Sequence, residues 1–117
     1  MYHRLMQQTE LIKGTLQTII LKLLSDHNRM YGYEITMKVK EMSGGNLVLT
    51  EGALYPTLHK LVAEGYLTTE TENIGKRIRK YYRLTKHGNI TATYKVEEFI
   101  NFVRVMSRIL QINPIAG

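Results

Sequence analysis

The sequence contains no cysteine, and its longest apolar runs are only a few residues long. The lack of cysteine excludes disulfide bonds and metal sites with thiolate ligands, and it is consistent with a reducing cytoplasm. Runs such as residues 19–21 are far too short to cross a bilayer, which takes about 20 apolar residues. Residues 1–6 have neither the apolar core nor the cleavage site of a signal peptide. We therefore expect a cytoplasmic protein that does not contact membranes.

The residue patterns of catalysis and metal binding are also missing. The four histidines are not paired at helical spacing, and no carboxylate is spaced as a metal partner for His3, His27, His59 or His87. The sequence has no nucleophile elbow and no HxE or HExxH motif, and the glycines at 44 and 45 are typical of a loop. We therefore expect neither an enzyme nor a protein with a bound metal or other cofactor.

Positive charge, in contrast, is concentrated in one short segment. The chain has 16 Lys and Arg against 10 Asp and Glu, so its formal net charge is +6. Residues 76–86 include no acidic residue and carry this whole excess on Lys76, Arg77, Arg79, Lys80, Arg83 and Lys86. Such a local field suits a polyanion, and DNA is the first to consider. An isolated charge run can also be no more than a solvated face, so the surrounding elements must decide.

Apolar residues recur at helical spacing in the first half of the chain, at about residues 9–26, 33–43 and 51–64. Thr50 is a good N-cap for the third helix, and Pro56 is expected to bend its first turns. The predicted inner faces consist of Ile35, Val39 and Met42 in the second helix and Leu54, Leu58, Leu61 and Val62 in the third.

Two segments after the third helix favour β-structure. Residues 66–72 and 79–84 are rich in threonine or aromatic residues, and residues 73–78 are predicted to connect them as a hairpin loop. The order is helix, helix, helix, strand, basic hairpin, strand. This order is typical of a winged helix-turn-helix domain, and the basic segment is then its wing.

A last helix is predicted from the N-cap Thr85 to about residue 111, with Gly88 as a tolerated weak position. It carries two apolar stripes: Ala92, Val96, Phe99, Val103, Met106 and Leu110 in the first, and Phe102, Val105, Ile109 and Ile112 in the second. One stripe can pack on the helix's own domain, and the second is most simply covered by another copy of the chain.

The predicted fold is therefore mainly α, of the α+β class. It consists of a winged helix-turn-helix DNA-binding domain at residues 9–84 and an appended C-terminal dimerisation helix at residues 85–112. The predicted dimerisation residues are Phe99, Phe102, Val103, Val105, Met106, Ile109 and Leu110.

Four short motifs then make a family resemblance visible. Residues 11–16 read LIKGTL, residues 31–35 YGYEI, residues 51–58 EGALYPTL and residues 80–85 KYYRLT. In this order and spacing they resemble the PadR family over nearly the whole chain, and the single C-terminal helix resembles the smaller PadR-like proteins. The resemblance implies a dimeric bacterial or archaeal transcriptional repressor, often one that responds to a small aromatic effector.

In a winged helix the outer face of the third helix enters the major groove. The predicted DNA contacts are Thr50, Gly52, Ala53, Tyr55, Pro56, His59 and Lys60 on this helix and Lys76, Arg77 and Arg79 on the wing. Tyr55 is either a DNA contact or a partly buried packing residue, and His59 either reaches DNA or faces solvent. The other basic residues of the wing are expected to add only to the electric field.

We therefore expect a homodimeric repressor that binds a pseudo-palindromic operator in double-stranded DNA. A small aromatic or hydrophobic effector is expected to release it. Either Met106 lines a cavity for this effector between subunits, together with Phe99, Phe102 and Val103, or the six methionines only fill the core. The alternative is a winged-helix protein-interaction module whose basic wing binds an acidic partner without sequence-specific DNA binding.

Overall fold

The computed structural model describes residues 10–113, which form four helices and a small antiparallel sheet of three strands. The helices are α1 (Glu10–Asp26), α2 (Gly32–Met42), α3 (Glu51–Ala63) and α4 (Lys86–Leu110), and the strands are β1 (Met30–Tyr31), β2 (Leu67–Ile74) and β3 (Arg77–Leu84). This is the predicted α+β winged-helix architecture. Thr9, the expected start of α1, lies outside the described residues.

The core forms where α1, α2 and α3 meet the sheet. α1 buries one broad face, and α3 contributes Leu54, Leu58 and Leu61, which are fully buried. Ile35 and Val39 of α2 are buried as predicted, but Met42 is 70% exposed because α2 ends at this residue. The helical spacing therefore identified these core residues correctly, except for Met42 at the end of α2, which is exposed.

The wing is longer and its turn tighter than the sequence indicated. The residues predicted as a loop, 73–78, instead extend both strands, with Ile74 opposite Arg77 in the ladder. Only Gly75 and Lys76 remain in the turn. Gly75 has a φ of 61°, the left-handed backbone that a glycine adopts without strain in a two-residue hairpin turn.

A third strand that was not predicted precedes α2. β1 pairs with β3, so the strand order is β1-β3-β2, and Met30 and Tyr31 lie opposite Tyr82 and Tyr81. A two-residue strand is too short to show an alternating pattern, and for that reason it was not predicted.

α4 begins against the wing domain and then leaves it. The Thr85 hydroxyl accepts the Gly88 N–H at 2.9 Å and donates to the Gly65 carbonyl at 2.7 Å. Gly88 lies so close to the Tyr66 carbonyl that a Cβ atom would be only 1.9 Å from its oxygen. Gly88 is therefore required by packing, and is not the weak but tolerated position that its helical context suggested. None of the helices in residues 10–113 combines the length and apolarity needed to cross a membrane.

Candidate nucleic-acid interface

The face of α3 opposite the core is exposed to solvent. Its exposed predicted contacts are Gly52, Tyr55, Pro56, His59 and Lys60, which recur at the spacing of one helix face. The structure thus brings these five together on one surface. A helix face with this mix of small, aromatic and cationic groups can approach a phosphate at its N-terminus and base edges further along.

Two of the predicted α3 contacts also have structural roles, and one of them, Ala53, is only partly exposed. The Thr50 hydroxyl accepts the Ala53 N–H at 3.2 Å and caps the helix. The Ala53 side chain is half-buried against the core. Both residues lie at the N-terminal end of α3, where the exposed face begins. They therefore help to fix the start of α3 in addition to lying beside its exposed face.

Tyr55 packs against the start of α2. A Cβ atom built on Gly32 would lie 2.4 Å from the Tyr55 hydroxyl oxygen, so the tyrosine occupies the space that this glycine leaves. Tyr55 is nevertheless 37% exposed. The fully buried Tyr82 of β3 belongs to the same region, and burial, with a smaller contribution from Tyr55, raises the pKa of its hydroxyl. Tyr55 therefore connects α3 with α2, which sequence reasoning had left as one of two alternatives.

Two cations stand at the tip of the wing. Lys76 lies in the turn and Arg77 begins β3, and both are exposed. In the part of the chain that the structure describes, no carboxylate lies within ion-pairing distance of either of them. Their charges are therefore uncompensated by the protein.

Further along β3 the side chains alternate between two faces of the sheet. Tyr82 lies on the inner face, and Lys80 on the same face has its ammonium 5.7 Å from the centre of the Tyr82 ring. Arg79 and Tyr81 lie on the outer face. The guanidinium of Arg79 is 4.1 Å from the centre of the Tyr31 ring, and a hydrogen bond with the Tyr81 hydroxyl raises its pKa. Arg79 is thus held in place on aromatic rings.

An ion-pair network covers the base of the wing on its outer face. Arg29 binds Glu70 at 2.8 Å and Glu72 at 2.5 Å, and Arg83 binds Glu70 at 2.9 Å and Asn28 at 2.6 Å. Hydrogen bonds from Arg29 first and Arg83 second hold the pKa of Glu70 below its ordinary value. Arg83, although part of the basic run, is therefore neutralised within the protein.

Sequence reasoning missed Arg29, Glu70 and Glu72 because their contacts are made between distant segments. Arg29 and Glu70 are 41 positions apart, and no local spacing signals their pairing. Gly32 was quoted only as part of a motif, and its role depends on where Tyr55 lies in space. A prediction of β1 would have indicated that Arg29 lies near the acidic residues of the sheet, since that strand places Arg29 beside the sheet.

The second half of α4 exposes an apolar surface. Of the predicted dimerisation residues, the structure leaves Val103 and Met106 half-buried and exposes Phe99, Phe102, Val105, Ile109 and Leu110. The first half packs on α1 and buries Ala92. A groove of about 310 Å³ lies between the start of α1 and this surface, lined by Leu11, Thr15, Phe99 and Phe102 among others.

Residues 10–113 contain no cluster of three or more His, Asp or Glu side chains that could hold a metal ion. The geometry therefore offers a charged wing, an exposed helix face and an apolar helix surface.

Comparison with known proteins agrees with this geometry. A family model described as the transcriptional regulator PadR-like family matches residues 20–93, more than half of the chain. A transcriptional regulator structure from Clostridium thermocellum superposes with a TM-score of 0.80 at 30% identity, over 86% of this chain and 97% of that one. A PadR family regulator structure from Eggerthella lenta superposes with a TM-score of 0.77 at 27% identity, over 89% of this chain and 88% of that one. Transcriptional regulator YqjI of Escherichia coli is 31% identical over 107 residues, which cover 86% of this chain but 49% of YqjI.

Proposed function

The chain belongs to the PadR-like family of transcriptional regulators, and from that premise we propose that it is a sequence-specific, homodimeric DNA-binding repressor of the cytoplasm. Membership of the family confirms the resemblance of its four motifs and makes the protein a regulator, not an enzyme. The observation that carries the proposal is the pair of cations at the wing tip. Lys76 and Arg77 are exposed and unpaired within the described residues, whereas Arg83 is neutralised.

In the proposed complex α3 lies in the major groove. His59 and Lys60 then reach base edges or backbone, and Gly52 lets the N-terminus of α3 approach a phosphate closely. Lys76 and Arg77 bind the flanking backbone, where they supply affinity without sequence information. Specificity therefore comes from the exposed face of α3.

A second copy of the chain is the proposed cover for the apolar surface of α4. Phe102 is 50% exposed, and its ring lies 6.3 Å from that of Phe99, also exposed. Exposed apolar patches of this kind are typical of interfaces. Phe102→Glu should give a monomer by light scattering, while Asn101→Glu, at a neighbouring exposed polar position, should remain a dimer. An unchanged dimer in Phe102→Glu would remove this residue from the interface.

The two-fold symmetry of such a dimer sets the form of the operator. Two α3 helices related by the dyad read the same sequence on opposite strands, so the operator is pseudo-palindromic with half-sites about 10 base pairs apart. A small aromatic or hydrophobic effector is proposed to bind near Phe99, Phe102, Val103 and Met106 and to change the spacing of the two α3 helices.

Selection of bound fragments from random duplex DNA tests the proposal directly. We expect a palindromic winner, bound far more tightly than a scrambled duplex of equal length and composition. If the protein binds all duplexes alike, or only an acidic protein partner, then the winged-helix interaction module is the correct description. Repeating the selected binding with candidate aromatic ligands then tests effector release.

A further inference from the structure

The strand order lets the side chain of one arginine, Arg29, extend across the sheet from one edge strand to the other. Arg29 precedes β1, and its guanidinium passes 3.7 Å from the centre of the Tyr81 ring on the central strand β3. Beyond that ring it reaches the two carboxylates of β2, Glu70 and Glu72. Arg29, at one edge of the sheet, thereby forms ion pairs with the carboxylates of the strand at the opposite edge.

Without Arg29, one of these carboxylates has an obvious partner. Glu72 lies directly opposite Arg79 in the β2–β3 ladder. Side chains directly opposite each other in an antiparallel pair have Cβ atoms about 5 Å apart, and opposite charges at such positions attract. The pattern of the ladder alone therefore predicts a Glu72–Arg79 ion pair.

The structure shows a different pairing. The Glu72 carboxylate binds Arg29, and within the described residues no carboxylate lies at ion-pairing distance from Arg79. Arg79 instead lies over the Tyr31 ring, and its interactions with Tyr81, and more weakly with Tyr31 and Glu34, raise its pKa. Its position is fixed, yet its charge is not cancelled by a direct ion pair.

We propose that Arg29 is a positioning residue for DNA binding: by holding Glu70 and Glu72 it keeps Arg79 free to bind a DNA phosphate. The inference rests on the proposed function, because it assumes that the wing contacts DNA. It assigns a role in binding to a residue outside both α3 and the basic run. Glu70 is also held by Arg83, so Glu72 is the carboxylate that loss of Arg29 would release toward Arg79.

The test is a set of variants measured for affinity and salt dependence on the selected operator. Arg29→Gln should weaken binding on the order of tenfold per protomer, the effect of one lost charge-assisted hydrogen bond. The slope of log affinity against log salt should become shallower by about 0.9 per protomer, because one phosphate contact is lost. Arg29→Gln combined with Glu72→Gln should regain both the affinity and the slope.

Two controls separate this role from simpler ones. The double variant also lacks the Arg29 bridge. If Arg29 only held the sheet together, the double variant should therefore bind DNA as weakly as Arg29→Gln. Glu10→Gln restores the same net charge in the Arg29→Gln background, but Glu10 is 94% exposed and begins α1, about 24 Å along the helix from the end that leads to β1. It should not restore binding. Thermal melts of all variants confirm that they are folded.

Retention on a heparin column compares the same variants on a polyanion other than DNA, so this measurement does not require a known operator. Elution of Arg29→Gln at lower salt than wild type, with recovery in the Glu72→Gln double variant, supports the inference even if the selection finds no preferred sequence. Wild-type affinity and slope in Arg29→Gln would overturn it, and so would a double variant as weak as the single one. Absence of any sequence preference in wild type would count only against the proposed function.

Discussion

Arg77→Ala gives the most direct measurement of the wing. In the proposed complex four cations of each protomer contact DNA, so a dimer would make about eight such contacts; the four are Lys60, Lys76, Arg77 and Arg79. If each neutralises one phosphate, log affinity should fall with log salt at a slope of about −7. A fourfold rise in salt, from about 50 to about 200 mM, should then weaken binding by about 10⁴-fold.

Removing Arg77 from both protomers leaves about six contacts and a slope of about −5. The same rise in salt should then weaken binding by only about 10³-fold. The change should be equal for the operator and for a scrambled duplex, since a phosphate contact carries no sequence information. Fluorescence anisotropy with labelled duplexes at four or more salt concentrations measures both slopes.

Lys86→Ala is the matched control. It removes one charge from the same basic run, but Lys86 begins α4 beyond the end of β3 that is opposite the wing tip, and β3 itself is about 24 Å long at the rise of a strand. At about 0.1 M salt the Debye length is about 10 Å, so a charge at that distance contributes little. A wild-type slope in Arg77→Ala would refute the wing assignment. Equal effects of the two substitutions would show that the field of the whole run, and not contact at the tip, drives binding.

Three further predictions concern stability. Gly88→Ala should lower the free energy of unfolding in urea by about 1–3 kcal/mol, because its Cβ atom would displace the start of α4 from the Tyr66 carbonyl; an unchanged midpoint would contradict this close approach. Because Arg29 holds the pKa of Glu70 below its ordinary value of 4.5, Glu70 stabilises the fold above about pH 4.5 and loses this effect as the pH falls further. Thermal melts of Glu70→Gln should therefore lie below wild type near pH 6 and converge with it as the pH falls below 4.5, and a constant difference would refute the linkage. Thr50→Ala should cost about 1 kcal/mol of stability in urea as a lost cap but leave the affinity of the folded protein for the operator unchanged, and a weaker affinity would make Thr50 a DNA contact.

The sequence predicted the elements whose evidence is local. Helical spacing identified α3 and its buried Leu54, Leu58 and Leu61, and Thr50 and Thr85 marked the caps that the structure confirms. These signals succeed because a helix face and a cap depend on residues within one or two turns. The position of the wing followed from the order of the elements.

Features that depend on contacts between distant segments were missed. β1 has too few residues for a pattern, yet it places Arg29 beside the sheet. The need for glycine at position 88 comes from the Tyr66 carbonyl, which a helical context does not reveal. The tight turn was missed for another reason: Gly75 and its neighbours read as a loop, although a single left-handed glycine suffices to reverse the chain.

Counting charges along the chain therefore overstates the number of cations available to DNA. The hairpin has five cations and two carboxylates, and Arg29 adds a sixth cation from outside. Arg29 and Arg83 cancel the two carboxylates through the observed ion pairs, which leaves four uncompensated cations, Lys76, Arg77, Arg79 and Lys80. Lys80 points to the inner face beside Tyr82, so three cations remain for the proposed contact with the DNA backbone. In the proposed complex, the charge that the wing presents to DNA therefore depends on the ion pairs of Arg29 as well as on the basic run itself.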